Sequence, residues 1–175
     1  MTIIHQHNSD IKNELLQLLQ TVSDPEIPVL SVIDLGIIRD VQSTILPDGS
    51  IQPIITITPT YSGCPAMDVI SMNIRLVLLE AGYKDITIKQ QLSPAWTTDW
   101  MSEDGKNKLK AYGIAPPNHN QSVCTPDAFQ KEVAIQCPQC NSWNTTLVAP
   151  FGSTACKALY KCEDCKEPFD YFKCH

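Results

Sequence analysis

The chain has 175 residues, of which 43% are hydrophobic and 7 are glycine, so it is long enough to bury one core and one small additional module. Its net charge of −6 repels phosphate backbones and anionic lipid surfaces, which argues against nucleic-acid and membrane partners. The N-terminal residues lack the basic region and apolar segment of a secretory signal, and no later window approaches the roughly 18 uninterrupted apolar residues of a membrane span, so we expect a cytoplasmic protein.

The first predicted element is an amphipathic helix. Apolar residues recur at helical spacing between residues 11 and 22, behind Ser9 and Asp10, which are both suitable N-cap residues. Asp24-Pro25 ends this pattern, because a proline disfavours a helical conformation at the residue before it.

The next segment, "SDPEIPV", is a loop that holds two candidate functional carboxylates. Its two prolines favour an extended path, and loops of this kind often carry function. Asp24 and Glu26 are candidate oxygen ligands or proton acceptors, although a loop carboxylate more often caps the backbone or is solvated.

A β-hairpin and a second helix follow. The group "LPDGS" separates the β-branched runs "LGIIRDVQST" and "IQPIITITPT", which is typical of a hairpin, and Pro53 fits the start of its strand or a sheet edge. From Pro65 the period changes to that of a helix, whose apolar face runs from Met67 to Ala81 and stops at Gly82.

Two further elements complete the first part of the chain. The alternating segment "KDITIKQQL" predicts a third strand, and Ser102 is the expected cap of a short helix over "EDGKNKLKAY". Gly113 and two prolines end that helix, and the polar segment after Pro117 has no apolar period and is typical of a linker.

Four of the eight cysteines form two Cys-x-x-Cys pairs near the C-terminus: Cys137 with Cys140, and Cys162 with Cys165. The pairs are separated by 21 residues, one more than the usual range of about 15–20 in zinc sites. Four thiolates suit a tetrahedral Zn²⁺ and leave it no open position, so we predict a structural zinc ribbon. Iron in a rubredoxin-like site would use the same ligands, and disulfides or redox dithiols are the alternatives.

The ribbon has no basic face for nucleic acid, because its four lysines are matched by four acidic residues. Its aromatic residues are more plausible as core than as a protein-docking surface. Cys156, Cys174 and His175 are spare ligand types, each better explained as a small buried residue or part of a tail.

Cys64 stands alone between the second strand and the second helix. With Pro65 at the first helical position, its sulfur would lie at a helix N-terminus, where the helix dipole stabilises a thiolate. The alternative is a small apolar residue that seals the junction. No histidine lies near it in sequence, so a Cys/His nucleophilic pair is not expected.

The segments "DPEIPVLSVIDLGII", "TPTYSGCPAMDVI" and "MSEDGKNKLKAYGIAPP" resemble the iron–sulfur assembly accessory domain, a family whose eukaryotic members serve the cytosolic iron–sulfur targeting complex. The resemblance implies an α+β domain with a small mixed β-sheet packed with helices. It also implies that Cys64 matches the reactive cysteine of the family and helps to carry iron or an iron–sulfur cluster. Asp24 and Glu26 become stronger candidates beside it.

With "GSTACKALY" and "EPFDYFKC", the whole chain is similar to the accessory subunits of bacterial phenylacetyl-CoA epoxidase systems. This resemblance implies a role in phenylacetate catabolism, with the di-iron oxygenase and the iron–sulfur flavin reductase as partners. We therefore expect a domain over residues 9–117, a linker over 118–132 and a zinc ribbon over 133–175. Ligand counting adds a homodimer as a hypothesis, since two protomers could present two Cys64 thiolates to one cluster.

Three hypotheses for function follow from these patterns. The first is an accessory or maturation subunit that helps to install iron or a cluster and has no independent catalytic activity. The second is a thiol oxidoreductase that pairs Cys64 with Cys124 as the resolving cysteine. The third is a structural adaptor in which the zinc ribbon holds a complex together.

Overall fold

A computed structural model describes residues 2–61, 63–117 and 135–173, and the side chains from residue 9 onward. These residues form three α-helices, a short 3-10 helix over Thr98–Trp100 and seven β-strands in two sheets. The predicted α+β class with a mixed sheet and a C-terminal ribbon is confirmed. The chain divides into two compact units, residues 1–96 and 97–175. Within the described ranges, no helix is long and apolar enough to cross a membrane.

The first helix, α1, spans Thr2–Gln20 and begins earlier than the sequence predicted. Ser9 and Asp10 are not its caps: both lie within the helix on its exposed side. A solvent-facing Ser or Asp is tolerated inside a longer helix, so a good N-cap residue does not by itself fix the start. The inward face is apolar as predicted, with Ile11, Leu15 and Leu19 buried.

The first sheet has the order β1-β2-β3 and is mixed. Strands β1 (Ile38–Ile45) and β2 (Ile51–Ile57) form the predicted antiparallel hairpin, and Gly49 in the turn takes a φ of +82° that favours glycine. Strand β3 (Thr87–Gln90) pairs with β2 in parallel from Ile54 onward. Pro53 is the third residue of β2, which is the central strand and not an edge; it lies opposite Ser43 of β1 and one residue before the pairing with β3 begins.

Helix α2 spans Ala66–Glu80 and connects β2 to β3. Its inner face is buried as the apolar period predicted, with Met67, Ile70, Ile74 and Leu78 each at most 5% exposed. Just after the helix, the hydroxyl of Tyr83 donates a hydrogen bond to the Glu14 carboxylate of α1 at 3.1 Å. The core of this unit thus lies between the two helices and the sheet.

The second unit contains helix α3 (Glu103–Tyr112) and strands β4 (Ile114–Ala115), β5 (Thr145–Ala149), β6 (Lys157–Cys162) and β7 (Pro168–Phe172). Ser102 caps α3 as predicted, since its hydroxyl accepts the N–H of Gly105 at 2.9 Å.

The four strands form one sheet in the order β4-β7-β6-β5. Strand β4 pairs in parallel with β7, so the segment after α3 belongs to the sheet of the ribbon. The first compact unit ends at Trp96. The expected boundaries, 9–117, 118–132 and 133–175, stay a prediction, and the linker lies outside the described residues.

Candidate metal centre and thiol site

The four cysteines of the two Cys-x-x-Cys pairs converge at one end of the second sheet. All four sulfur atoms lie within 4.8 Å of one another. The Sγ atoms of Cys137 and Cys165 are 3.7 Å apart, and those of Cys140 and Cys162 are 3.5 Å apart. A tetrahedral ion with Zn–S bonds of about 2.3 Å would hold its sulfurs about 3.8 Å apart. The arrangement fits Zn²⁺, whereas a disulfide needs sulfurs only about 2 Å apart.

The two cysteine turns share one backbone conformation. The N–H of Cys137 donates to the carbonyl of Ser142 at 2.8 Å, and the N–H of Cys162 donates to the carbonyl of Glu167 at 3.0 Å. In each turn, the residue after the second cysteine has a left-handed φ: 61° at Asn141 and 68° at Lys166. This repeated geometry brings two thiols from each turn toward the same point.

Side-chain and backbone hydrogen bonds tie the two turns together. The Asp164 carboxylate accepts from the hydroxyl of Ser142 and, at 2.8 Å, from the amide of Asn144. The N–H of Glu163 donates to the carbonyl of Asn144 at 2.8 Å. These hydrogen bonds hold the two cysteine turns against each other.

Hydrogen bonds, burial and neighbouring sulfurs shift the pKa values of two of the ligand thiols in opposite directions. The backbone N–H of Cys165 hydrogen-bonds the Cys162 sulfur and, against the effect of burial and with help from Asp164, lowers the pKa of Cys162 to about 7. At Cys165 the N–H of Glu167 lowers the pKa, but burial and the neighbouring sulfurs outweigh it and raise that pKa to about 12. A metal ion would displace the protons of the thiols that it binds.

Charges around the ribbon are neutralised by contacts within it. Lys157 lies 3.6 Å from Asp170, and the ammonium groups of Lys161 and Lys166 lie 3.8 Å and 3.4 Å from Glu163. Three of the four ribbon lysines thus lie close to acidic residues of the ribbon.

Cys64 lies at the start of α2, as the sequence predicted. Pro65 is the N-cap residue, one position before the first helical residue, Ala66. The carbonyl of Cys64 accepts the N–H of Met67 at 3.2 Å, so the cysteine takes part in the first turn. Its side chain is half-buried and the thiol is free. The proposed role of this thiol stays a prediction.

Thr58 is a residue of this region that the sequence reasoning missed. It follows β2 directly, and its N–H donates to the carbonyl of Ile37 at 2.8 Å. Its side chain is 1% exposed, and its hydroxyl has no hydrogen-bond partner among the described residues. A buried polar group without a partner costs about 1–3 kcal/mol, so the Thr58 hydroxyl is a destabilising feature at the end of β2. A threonine in a β-rich run carries no sequence signal for this.

Asp24 and Glu26 lie in the loop after α1. One carboxylate oxygen of Asp24 accepts the N–H groups of Glu26 and Ile27, at 2.8 Å and 2.7 Å, and so organises its own loop. The loop and the C-terminal half of α2 line an open groove of about 420 Å³, which includes Asp24. Cys64 precedes the first turn of the same helix, so the groove and the thiol lie toward opposite ends of α2.

The remaining candidate ligands are either buried or outside the described residues. Cys156 is 4% exposed, as expected of a small buried residue, and its sulfur lies 3.0 Å from the hydroxyl of Thr154. Cys124, Cys174 and His175 lie outside the described residues, so the predicted pairing of Cys64 with Cys124 stays a prediction.

Two family models match consecutive parts of the chain. Residues 12–88 match the model described as "Iron-sulfur cluster assembly protein", and residues 121–173 match "PaaD zinc beta ribbon domain". The fold and the four-cysteine site agree with both. The chain is therefore an iron–sulfur assembly domain joined to a zinc ribbon.

The full-length comparison identifies the family. The chain is 47% identical, over 93% of its own length and 92% of the relative, to an Escherichia coli (strain K12) protein whose name makes it the D subunit of a "Putative 1,2-phenylacetyl-CoA epoxidase". It belongs to this family of epoxidase components.

Two other comparisons cover a little more than half of the chain. A Porphyromonas gingivalis protein named "Fe-S protein maturation auxiliary factor" is 36% identical over 56% of this chain and 90% of that protein. The crystal structure of a Bacillus anthracis domain of unknown function, DUF59, covers 60% of this chain and 96% of that structure, with 26% identity and a TM-score of 0.53.

Proposed function

We propose that this protein is an accessory or maturation component of a phenylacetyl-CoA ring epoxidase system. It assists iron or iron–sulfur cluster assembly in the di-iron oxygenase or in its flavin reductase during aerobic phenylacetate catabolism. The observation that carries the proposal is the full-length similarity to the Escherichia coli epoxidase protein, which spans both units. The name of the Porphyromonas gingivalis relative supports a maturation role for the first unit.

The two kinds of cysteine site have different roles in this proposal. The four-cysteine site binds Zn²⁺ and stabilises the ribbon, because four thiolates occupy every position of a tetrahedral ion and leave none for a substrate. Cys64 is half-buried, lies outside that set, and offers a soft sulfur ligand to iron. Iron or a cluster is the cargo here, and Cys64 is the residue that holds or transfers it.

The test is the iron and acid-labile sulfide content of the epoxidase components purified from cells that carry Cys64→Ala. We expect iron to fall in one component, which would then be the client. Zinc bound to the variant itself reports that the ribbon is still folded. Cys156→Ala is the matched control, since this cysteine is also outside the four-cysteine set. Normal iron loading with Cys64→Ala would favour the structural-adaptor hypothesis instead.

Asp24→Asn separates a chemical role of the carboxylate from its role in the loop. Asparagine keeps an oxygen that can accept the N–H groups of Glu26 and Ile27, but it removes the charge. If the Asp24 carboxylate takes part in iron transfer from its own position at the groove, the substitution lowers iron loading at nearly unchanged stability. If Asp24 only organises the loop, iron loading stays normal.

A further inference from the structure

Helix α2 is apolar on its outer side as well as on its inner side. Val69, Met72, Leu76 and Leu79 are 39–55% exposed and follow one another at spacings of three and four residues. We call these four residues the α2 ridge. At about 100° per residue the ridge lies roughly opposite the buried face of Ile70, Ile74 and Leu78. An ordinary surface helix carries polar residues there, so this face is suited to contact with another protein.

The open groove between α2 and the loop after α1 runs beside the ridge. Leu76 belongs to both, and Pro25, Pro28 and Val77 add further apolar surface to the groove. A ridge of side chains next to a groove is the surface that another helix packs against. The three- and four-residue spacing of the ridge matches the seam of an amphipathic helix. The shape of the ridge and groove therefore favours a helical segment as the partner.

The charges on this surface indicate the charge that a partner helix should carry. The charged residues that line the groove, Asp24 and Glu80, are both acidic, and Asp68 flanks the ridge on its other side. Arg75 is the basic residue of α2, and its guanidinium donates to the carbonyl of Ile86 at 3.0 Å. A second copy would bring the same acidic flanks and another net charge of −6, which disfavours self-association.

We propose that the α2 ridge and its groove bind an amphipathic helix of the client protein, with an apolar seam flanked by lysine or arginine. This inference rests on the proposed function and adds the surface by which a client is held. Val69 lies about 6 Å along the helix axis from the N-cap residue Pro65, beside which Cys64 stands. A client helix that lies along the whole ridge therefore has one end at the groove and the other about one helical turn from the thiol that would serve it.

The test measures the affinity of the full-length chain for each purified epoxidase component by isothermal titration calorimetry. Leu76→Glu should weaken binding to the client at least about tenfold, because it places a charge at the centre of the apolar contact. Glu80→Lys should weaken binding about threefold at low salt and less at high salt, because it replaces an attractive charge with a repulsive one. Leu92→Glu is the matched control, since Leu92 is 63% exposed in the same unit but lies outside α2.

Each of the following results would contradict the proposed docking surface. Wild-type affinity of Leu76→Glu for both components would do so, as would failure of the wild-type chain to bind either component. A wild-type dimer in analytical ultracentrifugation that Leu76→Glu converts to a monomer would make a second copy the occupant. Iron loading distinguishes this failure from that of the proposed function: low client iron with Cys64→Ala keeps the function even if Leu76→Glu binds normally.

Discussion

Cys137→Ser tests whether the ribbon depends on its metal. Cys137 is fully buried and contributes one of the four sulfurs. Structural Zn²⁺ contributes about 10–16 kcal/mol to the folding of small zinc modules. The described part of the ribbon, residues 135–173, has the size of about 40 residues below which a core alone is seldom sufficient. The buried apolar cluster of the ribbon is small, so packing alone should not contribute enough free energy to keep the ribbon folded without the metal.

We expect Cys137→Ser to lose its metal and to unfold β5 to β7 while α1 and α2 stay folded. Metal analysis gives the zinc-to-protein ratio and distinguishes zinc from iron, and hydrogen exchange reports each unit separately. Cys156→Ser is the matched control, because it changes another buried cysteine of the same unit and should keep the metal. Protected amides in β6 and β7 of a metal-free Cys137→Ser protein would refute the reasoning.

Two further predictions concern the first unit. Ile74→Ala should lower the free energy of unfolding in urea by about 2–5 kcal/mol, because the Ile74 side chain is fully buried. Met72→Ala, on the outer side of α2, should change it by only about 0.5 kcal/mol. Equal effects of the two substitutions would contradict the assignment of the two faces. Burial, with the hydrogen bond to Glu14, raises the pKa of Tyr83 from 10.0 to about 12. The folded state therefore favours the protonated phenol, so its stabilisation is complete below pH 10 and is lost as the pH rises toward 12. The free energy of unfolding of Tyr83→Phe should fall less steeply with pH in that window than that of the wild type. An unchanged pH profile would show that Tyr83 does not contribute to the pH dependence.

Local patterns predicted the elements whose physical causes are local. The turn "LPDGS" between two β-branched runs indicated the β1–β2 hairpin, and the apolar period from Met67 indicated the buried face of α2. The Cys-x-x-Cys spacing indicated the metal site because each such turn brings two thiols together and two turns supply the four ligands of one ion. In each case one short segment contains the whole signal.

Features that depend on pairing between distant segments could not be predicted. Nothing in "KDITIKQQL" states that β3 runs parallel to β2, and nothing in Ile114 and Ala115 states that they pair with β7. The unpartnered hydroxyl of Thr58 and the apolar outer face of α2 appear only when burial is known. The apolar period of α2 predicted its buried face, but it carries no information about what the opposite face contacts.

The most direct test of the central claim is iron transfer in a purified system. Apo forms of the di-iron oxygenase and the reductase would be incubated with ferrous iron and with either the wild-type chain or Cys64→Ala, and the initial rate of iron incorporation followed. We predict that the wild-type chain accelerates loading of one component and that Cys64→Ala, still holding its zinc, does not. Equal rates with the two chains would contradict the claim that Cys64 carries the iron.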